Sequence, residues 1–173
     1  SPAEGYGVTA SEQAGETVYT LLMISENLGE TFLANNAAEV EALMNAGVKG
    51  ISLGADIKMN LVIEEGQTLA LDLNGHTLTS DLAGKATILN NGTVTVTDSV
   101  GTGLITRGES KWYVILNEGT MVLDGITAKN ENGADGSSLV AYNVSCVSVN
   151  PAVLTIESGT FISAAANPVK NDE

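Results

Sequence analysis

Arg107 is the only arginine in the chain and His76 the only histidine. Either could act as a base or hold an anion, but each needs partners. Arg107 lies in "GLITRGESK", close to Glu109 and Lys111, and reads as a solvated residue at a strand edge. His76 follows an Asn-Gly turn in "LNGHTL" and has no second histidine or nearby cysteine with which to make a general-base or metal pair. Cys146 is the lone cysteine, so it closes no disulfide within the chain and reads as a small buried hydrophobe. No set of residues has zinc-site spacing, and no G-x-S-x-G nucleophile elbow occurs. Asp72, Asp98 and Asp124 recur at 98 − 72 = 26 and 124 − 98 = 26. Stacked, they could line one edge and take Ca²⁺, the only cofactor the sequence suggests. Singly, they are ordinary turn formers. Trp112 and Tyr113 form the one adjacent aromatic pair, and Tyr142 is expected on a neighbouring coil. An exposed pair of this kind could meet a glycan or a protein partner; Tyr113, alternating with Ile115, could instead point inward. These residues assign no catalytic group and no metal ligand.

The elements that would position them come from a repeat. "ILNNGTVTVTDS" (88–99) is nearly rewritten as "ILNEGTMVLDG" (115–125). Gly92 and Gly119 align at 119 − 92 = 27, Gly66 and Gly92 at 92 − 66 = 26, and Asn117 and Asn150 at 150 − 117 = 33. The longer last step is assigned to an inserted loop, "NENGADGSS", at 130–138. Each period holds about three short strands. The first is the phrase itself, with apolar pairs Leu69/Leu71, Val94/Val96, Met121/Leu123 and Leu154/Ile156. The second is "HTLTS", "GLITR", "GITAK" and "GTFIS"; the third is "LVIEE", "ATILN", "YVILN" and "CVSVN". Strands this short bury little alone, but stacked copies pair their backbones and align their Val, Ile and Leu in columns. The fold class expected from the repeat is an all-β β-solenoid of about four coils. A leucine-rich repeat would need its own Leu spacing and a helical return leg, and a β-sandwich would not need phrases in register. Asn90, Asn117 and Asn150 are expected to share one corner as an asparagine ladder.

Charge narrows the partners. A net charge of −14 with seven basic residues excludes nucleic acid, whose phosphates need clustered Lys and Arg, and disfavours an anionic membrane surface. No apolar run approaches the ~20 residues that span a bilayer, so no membrane insertion is expected. No signal peptide is visible at the start of the sequence.

Residues 39–80 ("EVEALMNAGVKGISLGADIKMNLVIEEGQTLALDLNGHTLTS") and 86–108 resemble the start of a right-handed parallel β-helix of the pectin-lyase-like kind. The wording resembles modules of bacterial surface proteins and of phage structural proteins, over roughly 36–164. The resemblance implies a fold far more than a function. It also raises polysaccharide lyases and hydrolases of this fold, which carry a Ca²⁺ site beside an Arg or Lys base, or neighbouring Asp residues. Arg107 is the residue such a lyase would depend on here, and the short stack argues against the long cleft of such enzymes.

Three regions follow. Residues 36–164 form the solenoid, opened by a capping helix at 36–47 with Asn36 as N-cap, Glu39 at capping-box spacing, and Val40, Leu43 and Met44 on one apolar face. Residues 1–35 are an arm or attachment segment whose apolar contacts would be Val18, Leu21, Leu22 and Phe32. Thr9 and Glu12 could open a helix there, and a strand at 17–24 fits equally well. Residues 165–173 are a C-terminal tail. The expectation is a non-enzymatic structural surface protein. It would be a virion component, such as a capsid decoration or fibre subunit, held by the arm to capsid or other structural subunits and able to self-associate. A bacterial cell-surface or secreted adhesin that binds glycan is the alternative, and a lyase-like enzyme a distant third. The apparent completeness of the chain, the lone cysteine and the arm favour the virion.

Overall fold

The computed structural model describes residues 4–108, 112–130, 140–144, 151–164 and 167–172. Strands β1 (Tyr6–Gln13) and β2 (Glu16–Met23) form an antiparallel hairpin, followed by β3 (Thr31–Ala34) and helix α1 (Ala37–Asn45). Five turns of three strands come next: β4 (Gly50–Leu53), β5 (Ile57–Lys58) and β6 (Leu61–Ile63); β7 (Thr68–Asp72), β8 (Thr77–Ser80) and β9 (Ile88–Asn90); β10 (Thr93–Thr97), β11 (Leu104–Arg107) and β12 (Ile115–Asn117); β13 (Thr120–Asp124), β14 (Ile126–Asn130) and β15 (Ala141–Val144); β16 (Val153–Ile156), β17 (Gly159–Ser163) and β18 (Val169–Asp172). Strands at the same place in successive turns pair in parallel, building three sheets, as in a right-handed β-helix. The first sheet runs β16-β13-β10-β7-β4-β3 and continues into β1-β2.

Alternation explains the packing. Leu69, Val94 and Met121 stand in one column and Leu71, Val96 and Leu123 in the next, all buried, while Thr93, Thr95 and Thr97 face outward or sideways. Each such side chain taken from water contributes roughly 1.5–3 kcal/mol. That burial fixes the register. Thr68 pairs with Thr93, so the step is 93 − 68 = 25 and not the 26 expected from aligning Gly66 with Gly92. A slip of one residue would turn Leu69 and Leu71 out to solvent. The first turn is shorter still, 70 − 50 = 20 by the pairing of Gly50 with Ala70. Later steps of 27 and 33 offset these short ones, and the fifth turn is completed because β18 carries the stack on to Asp172, beyond the expected end of the solenoid.

The asparagine ladder exists with a different membership. Nδ2 of Asn90 donates to Oδ1 of Asn117 (2.7 Å), Asn117 to Asn143 (2.6 Å) and Asn143 to Asn171 (2.6 Å). The expected third member, Asn150, lies outside the described residues, and Asn143 pairs with Asn117 in its place. The rung expected at "CVSVN" is therefore β15. Asn117 to Asn143 is 26 residues and Thr120 to Val153 is 33, so 33 − 26 = 7 extra residues fall between Asn143 and Val153. Thr106 to Lys129 is 23, so the corner after β14, where the inserted loop was expected, is also longer than its counterpart after β11, by 26 − 23 = 3. Residues 131–139 and Cys146 lie outside the described residues.

Both boundaries expected for the solenoid fall inside the stack. β3 pairs in parallel with β4, and β18 pairs with β15, so residues 31–35 and much of the tail belong to the rungs. Phe32 is fully buried in the core and not on an exposed arm. The helix suggested by Thr9 and Glu12 does not form. Both residues lie in β1, joined to β2 through Ala14 (φ 53°) and Gly15 (φ 83°), a two-residue turn whose twist suits a hairpin. Pairing of β1 with β3 adds the hairpin to the sheet, and this outweighs the helical spacing. α1 matches its expectation. The Asn36 side chain accepts from the Glu39 N–H (3.0 Å), and the Glu39 carboxylate accepts from the N–H and Nδ2 of Asn35 (2.9 and 3.2 Å). Val40 and Leu43 join the core with Ile57 and Leu61, closing it at the first turn.

Candidate functional site

Three surface features carry the residues singled out by sequence. The first is aromatic. Trp112 and Tyr113 have ring centroids 4.9 Å apart, and Tyr113 meets the edge of Tyr142 at 4.8 Å. Tyr142 arrives from the next turn because Leu116 pairs with Tyr142 across β12 and β15. All three rings are partly exposed, so Tyr113 does not point inward; Val114 and Ile115 take the core positions. Lys170, one turn on, sits 5.0 Å from the Tyr142 ring. The Tyr142 hydroxyl donates to Asp172 (2.8 Å), which also pairs with Lys170. This bond to a carboxylate raises the Tyr142 pKa, while Lys170 and then Tyr142 lower that of Asp172. The result is an aromatic ledge with a fixed charge pair at one end. Sequence reading found Trp112 and Tyr113 but missed Lys170 and Asp172, which were assigned to a tail.

The second feature is Arg107, and here the expectation of a solvated edge residue is overturned. Arg107 is 4 % exposed. Its guanidinium donates to the carbonyls of Leu82 (2.8 Å), Tyr113 (3.5 Å) and Lys85. Burial lowers its pKa and Asp81 partly offsets this. β11 points Arg107 inward at the position where β8 has Ser80. The longer side chain reaches the corner loop and ties its backbone. A group held by these carbonyls is a structural clamp, not a base poised over a substrate.

The aspartates also separate. Asp72 and Asp124 both stand opposite Thr97, whereas Asp98 lies one residue beyond it. The column expected at equal offsets does not form, because the true step between β7 and β10 is 25. Asp72 accepts from the Asn74 N–H (2.9 Å) and from the N–H and hydroxyl of Ser99 (2.9 and 2.7 Å). Asp98 accepts from the Gly75 and Gly103 N–H groups (2.8 and 2.6 Å), and Asp124 from the Ser158 hydroxyl (2.7 Å). Each carboxylate fastens a corner. Among the described residues no group of three or more His, Cys, Asp or Glu could hold a metal ion. His76 lies 3.6 Å from Asp56, away from the aromatic ledge's residues in the chain.

The third feature is the hairpin. β2 is the edge strand of the eight-stranded sheet. The register places Tyr6 beside Met23, Val8 beside Leu21 and Ala10 beside Tyr19, so these six share one face. Tyr19, Leu21, Met23 and Tyr6 are exposed. The opposite face turns Leu22 toward the core, and Val18 lies on that face, half-buried. Of the four residues expected in an attachment arm, Leu21 alone is fully presented. The sequence signal for the others, Tyr19 and Met23, was their period-2 spacing with Leu21. No protein-family model, curated protein or solved structure matches the chain, so the account of the site rests on the sequence and the fold.

Proposed function

We propose that the protein is a non-enzymatic structural component of an outer surface. In this reading it is a virion decoration or fibre subunit of the pectin-lyase-like β-helix kind, attached through the β1–β2 hairpin. The observation that carries the reading is the β2 edge. "ETVYTLLM" holds one charged residue and no proline or lysine, so it lacks the usual protections of an exposed strand edge. Its backbone and apolar face suit strand addition to another structural subunit, or to a second copy. The acidity of the rest of the chain keeps such contacts confined to that edge. The clamp role of Arg107 and the corner roles of the aspartates support a scaffold over a lyase.

Immuno-electron microscopy with an antibody against the chain tests this directly. Labelling of purified virions, lost when Leu21→Lys replaces the wild-type chain, is the expected result. Neighbouring capsid or tail genes would agree with it. Labelling of a bacterial envelope instead would favour the second reading, a surface adhesin. That reading draws on the ledge of Trp112, Tyr113 and Tyr142, and Trp112→Ala would then abolish adhesion.

A further inference from the structure

The two ends of the stack are finished differently. At the first turn, α1 adds Val40 and Leu43 to the core beside Ile57 and Leu61, and the β1–β2 hairpin extends the first sheet. At the last turn the core is open. Among the described residues no strand pairs with the far side of β16, β17 or β18. Their inward residues show the effect: Leu154, Phe161 and Val169 are half-buried, and Ile156 is 39 % exposed. The residues one turn earlier that pair with the first three, Met121, Ala128 and Ala141, are fully buried. The backbone is open there too. The Asn90 carbonyl accepts from the Glu118 N–H one turn on, so the same carbonyl on Asn171 faces away from the stack.

An open core rimmed by strand edges is completed by more strand. The ends themselves narrow what can supply it. A second copy cannot bring its first turn, which α1 and the hairpin cover, so it must bring its own last turn. Two like ends meet across a twofold axis, and their strands then run antiparallel. Register shows that this end complements itself. With Asn171 on the axis, Lys170 stands opposite Asp172 of the second copy, and Asp172 opposite its Lys170. Within one chain these two side chains already form an ion pair, so four charges alternate in sign across the axis. An axis at Lys170 would instead set two lysines face to face, and one at Asp172 two carboxylates, both unfavourable. The last turn is thus the exception to the acidity that keeps strand addition off the rest of the chain. The asparagine columns meet there with like ends, a cost that the opposed ion pairs and the covered apolar core outweigh. We infer that the open last turn is a dimer interface, joining two copies of this chain end to end about a twofold axis at Asn171. Such a contact closes on itself and makes dimers, not filaments. It uses no hairpin residue and leaves an attachment hairpin at each far end, so it stands or falls without the attachment reading.

Sedimentation equilibrium of the whole chain is the test. A monomer–dimer equilibrium is expected, with no larger species. Lys170→Asp and Asp172→Lys should each weaken it roughly tenfold or more, because like charges then face each other at both positions. An equimolar mixture of the two variants should regain the dimer, with a carboxylate opposite an ammonium at every position. Ile156→Lys, at the rim of the open core, should give monomer. Circular dichroism checks that each variant folds. Leu21→Lys and Trp112→Ala should leave the equilibrium unchanged, which separates this end from the attachment edge and from the aromatic ledge. A chain still monomeric at ~1 mM, an open-ended series of oligomers, or single charge variants that dimerise as the wild type does would each overturn the inference. So would a mixture no tighter than either variant alone, or a dimer lost in Leu21→Lys.

Discussion

Replacing Asn117 with alanine tests whether the asparagine column holds the turns together. Its amide nitrogen donates to Asn143 Oδ1 (2.6 Å) and to the carbonyls of Gly119 and Val153 (both 3.0 Å), and its oxygen accepts from Asn90 (2.7 Å). Truncation does not orphan every partner. Asn90 keeps the carbonyls of Gly92 and Thr120, and the Gly119 carbonyl keeps the Val153 N–H. The buried Asn143 oxygen loses its donor from below. Two lost bonds along the column at ~1 kcal/mol each, with one buried acceptor left poorly satisfied, give a loss of about 3 kcal/mol. For a chain of this size that lowers the thermal midpoint by roughly 6–12 °C. Asn171→Ala is the matched control. It removes the exposed last member of the described column and one acceptor, and should cost about 1 kcal/mol or less. Equilibrium urea denaturation of both variants is the assay. Equal losses at Asn117 and Asn171 would refute the reasoning, because the column would then be an ornament on a stack held by its apolar core alone.

Arg107→Gln should cost about 2–3 kcal/mol in the same assay, since bonds from a charged donor to carbonyls are worth more than neutral ones; an effect below ~0.5 kcal/mol, on the scale of ordinary surface changes, would mean the corner loop needs no clamp. Gly119→Ala would place a Cβ 2.3 Å from the Gly92 carbonyl oxygen, a backbone clash, so a loss of about 2–3 kcal/mol is expected. Gly84→Ala, in open space at φ 67°, should cost only about 1–2 kcal/mol from its backbone conformation, and a larger loss than at Gly119 would reverse the ranking. Ultraviolet titration should show Tyr142 ionising above the ordinary tyrosine range and Asp172→Asn bringing it back down; no change would break the assigned bond. The signs for stability follow. The raised Tyr142 pKa gives stability that is present below the unfolded value and lost as pH rises through the folded one. The lowered Asp172 pKa gives stability present above the unfolded value and lost as pH falls through the folded one.

The solenoid was legible because its core is written in period 2. Leu69/Leu71, Val94/Val96 and Met121/Leu123 alternate so regularly that only a stacked strand buries all six. Glycine was a poorer guide than leucine. Gly66 (φ 80°) serves a turn, whereas Gly92 makes room for the carbonyls of Glu64 and Gln67, so aligning one with the other shifted a rung by one residue. The same shift produced the false aspartate column. Asn150 was chosen over Asn143 because it precedes the strand phrase as Asn117 does. What decides membership is a buried amide partner in the adjacent turn, which spacing does not reveal. Arg107 reads as solvated because its neighbours in sequence are polar, while its neighbours in space include carbonyls of the preceding turn's corner, 22 and 25 residues back. The hairpin was ambiguous because an edge strand with one wet face carries mixed periodicities.

The amides of the asparagine column all point one way. The Nδ2 groups of Asn90, Asn117 and Asn143 each face the later turn, and the Asn171 oxygen faces the earlier one. Four dipoles therefore add along the solenoid axis, and each bond polarises the next. Neither interior amide, Asn117 or Asn143, can invert alone without leaving like atoms facing each other on both sides, so the column switches together or stays as it is. It gives a stack of nearly equivalent rungs an electrical direction, negative toward the first turn and positive toward the last, in the manner of a helix macrodipole built from side chains. Two such solenoids joined end to end would reinforce one another in the head-to-tail sense and oppose one another head to head.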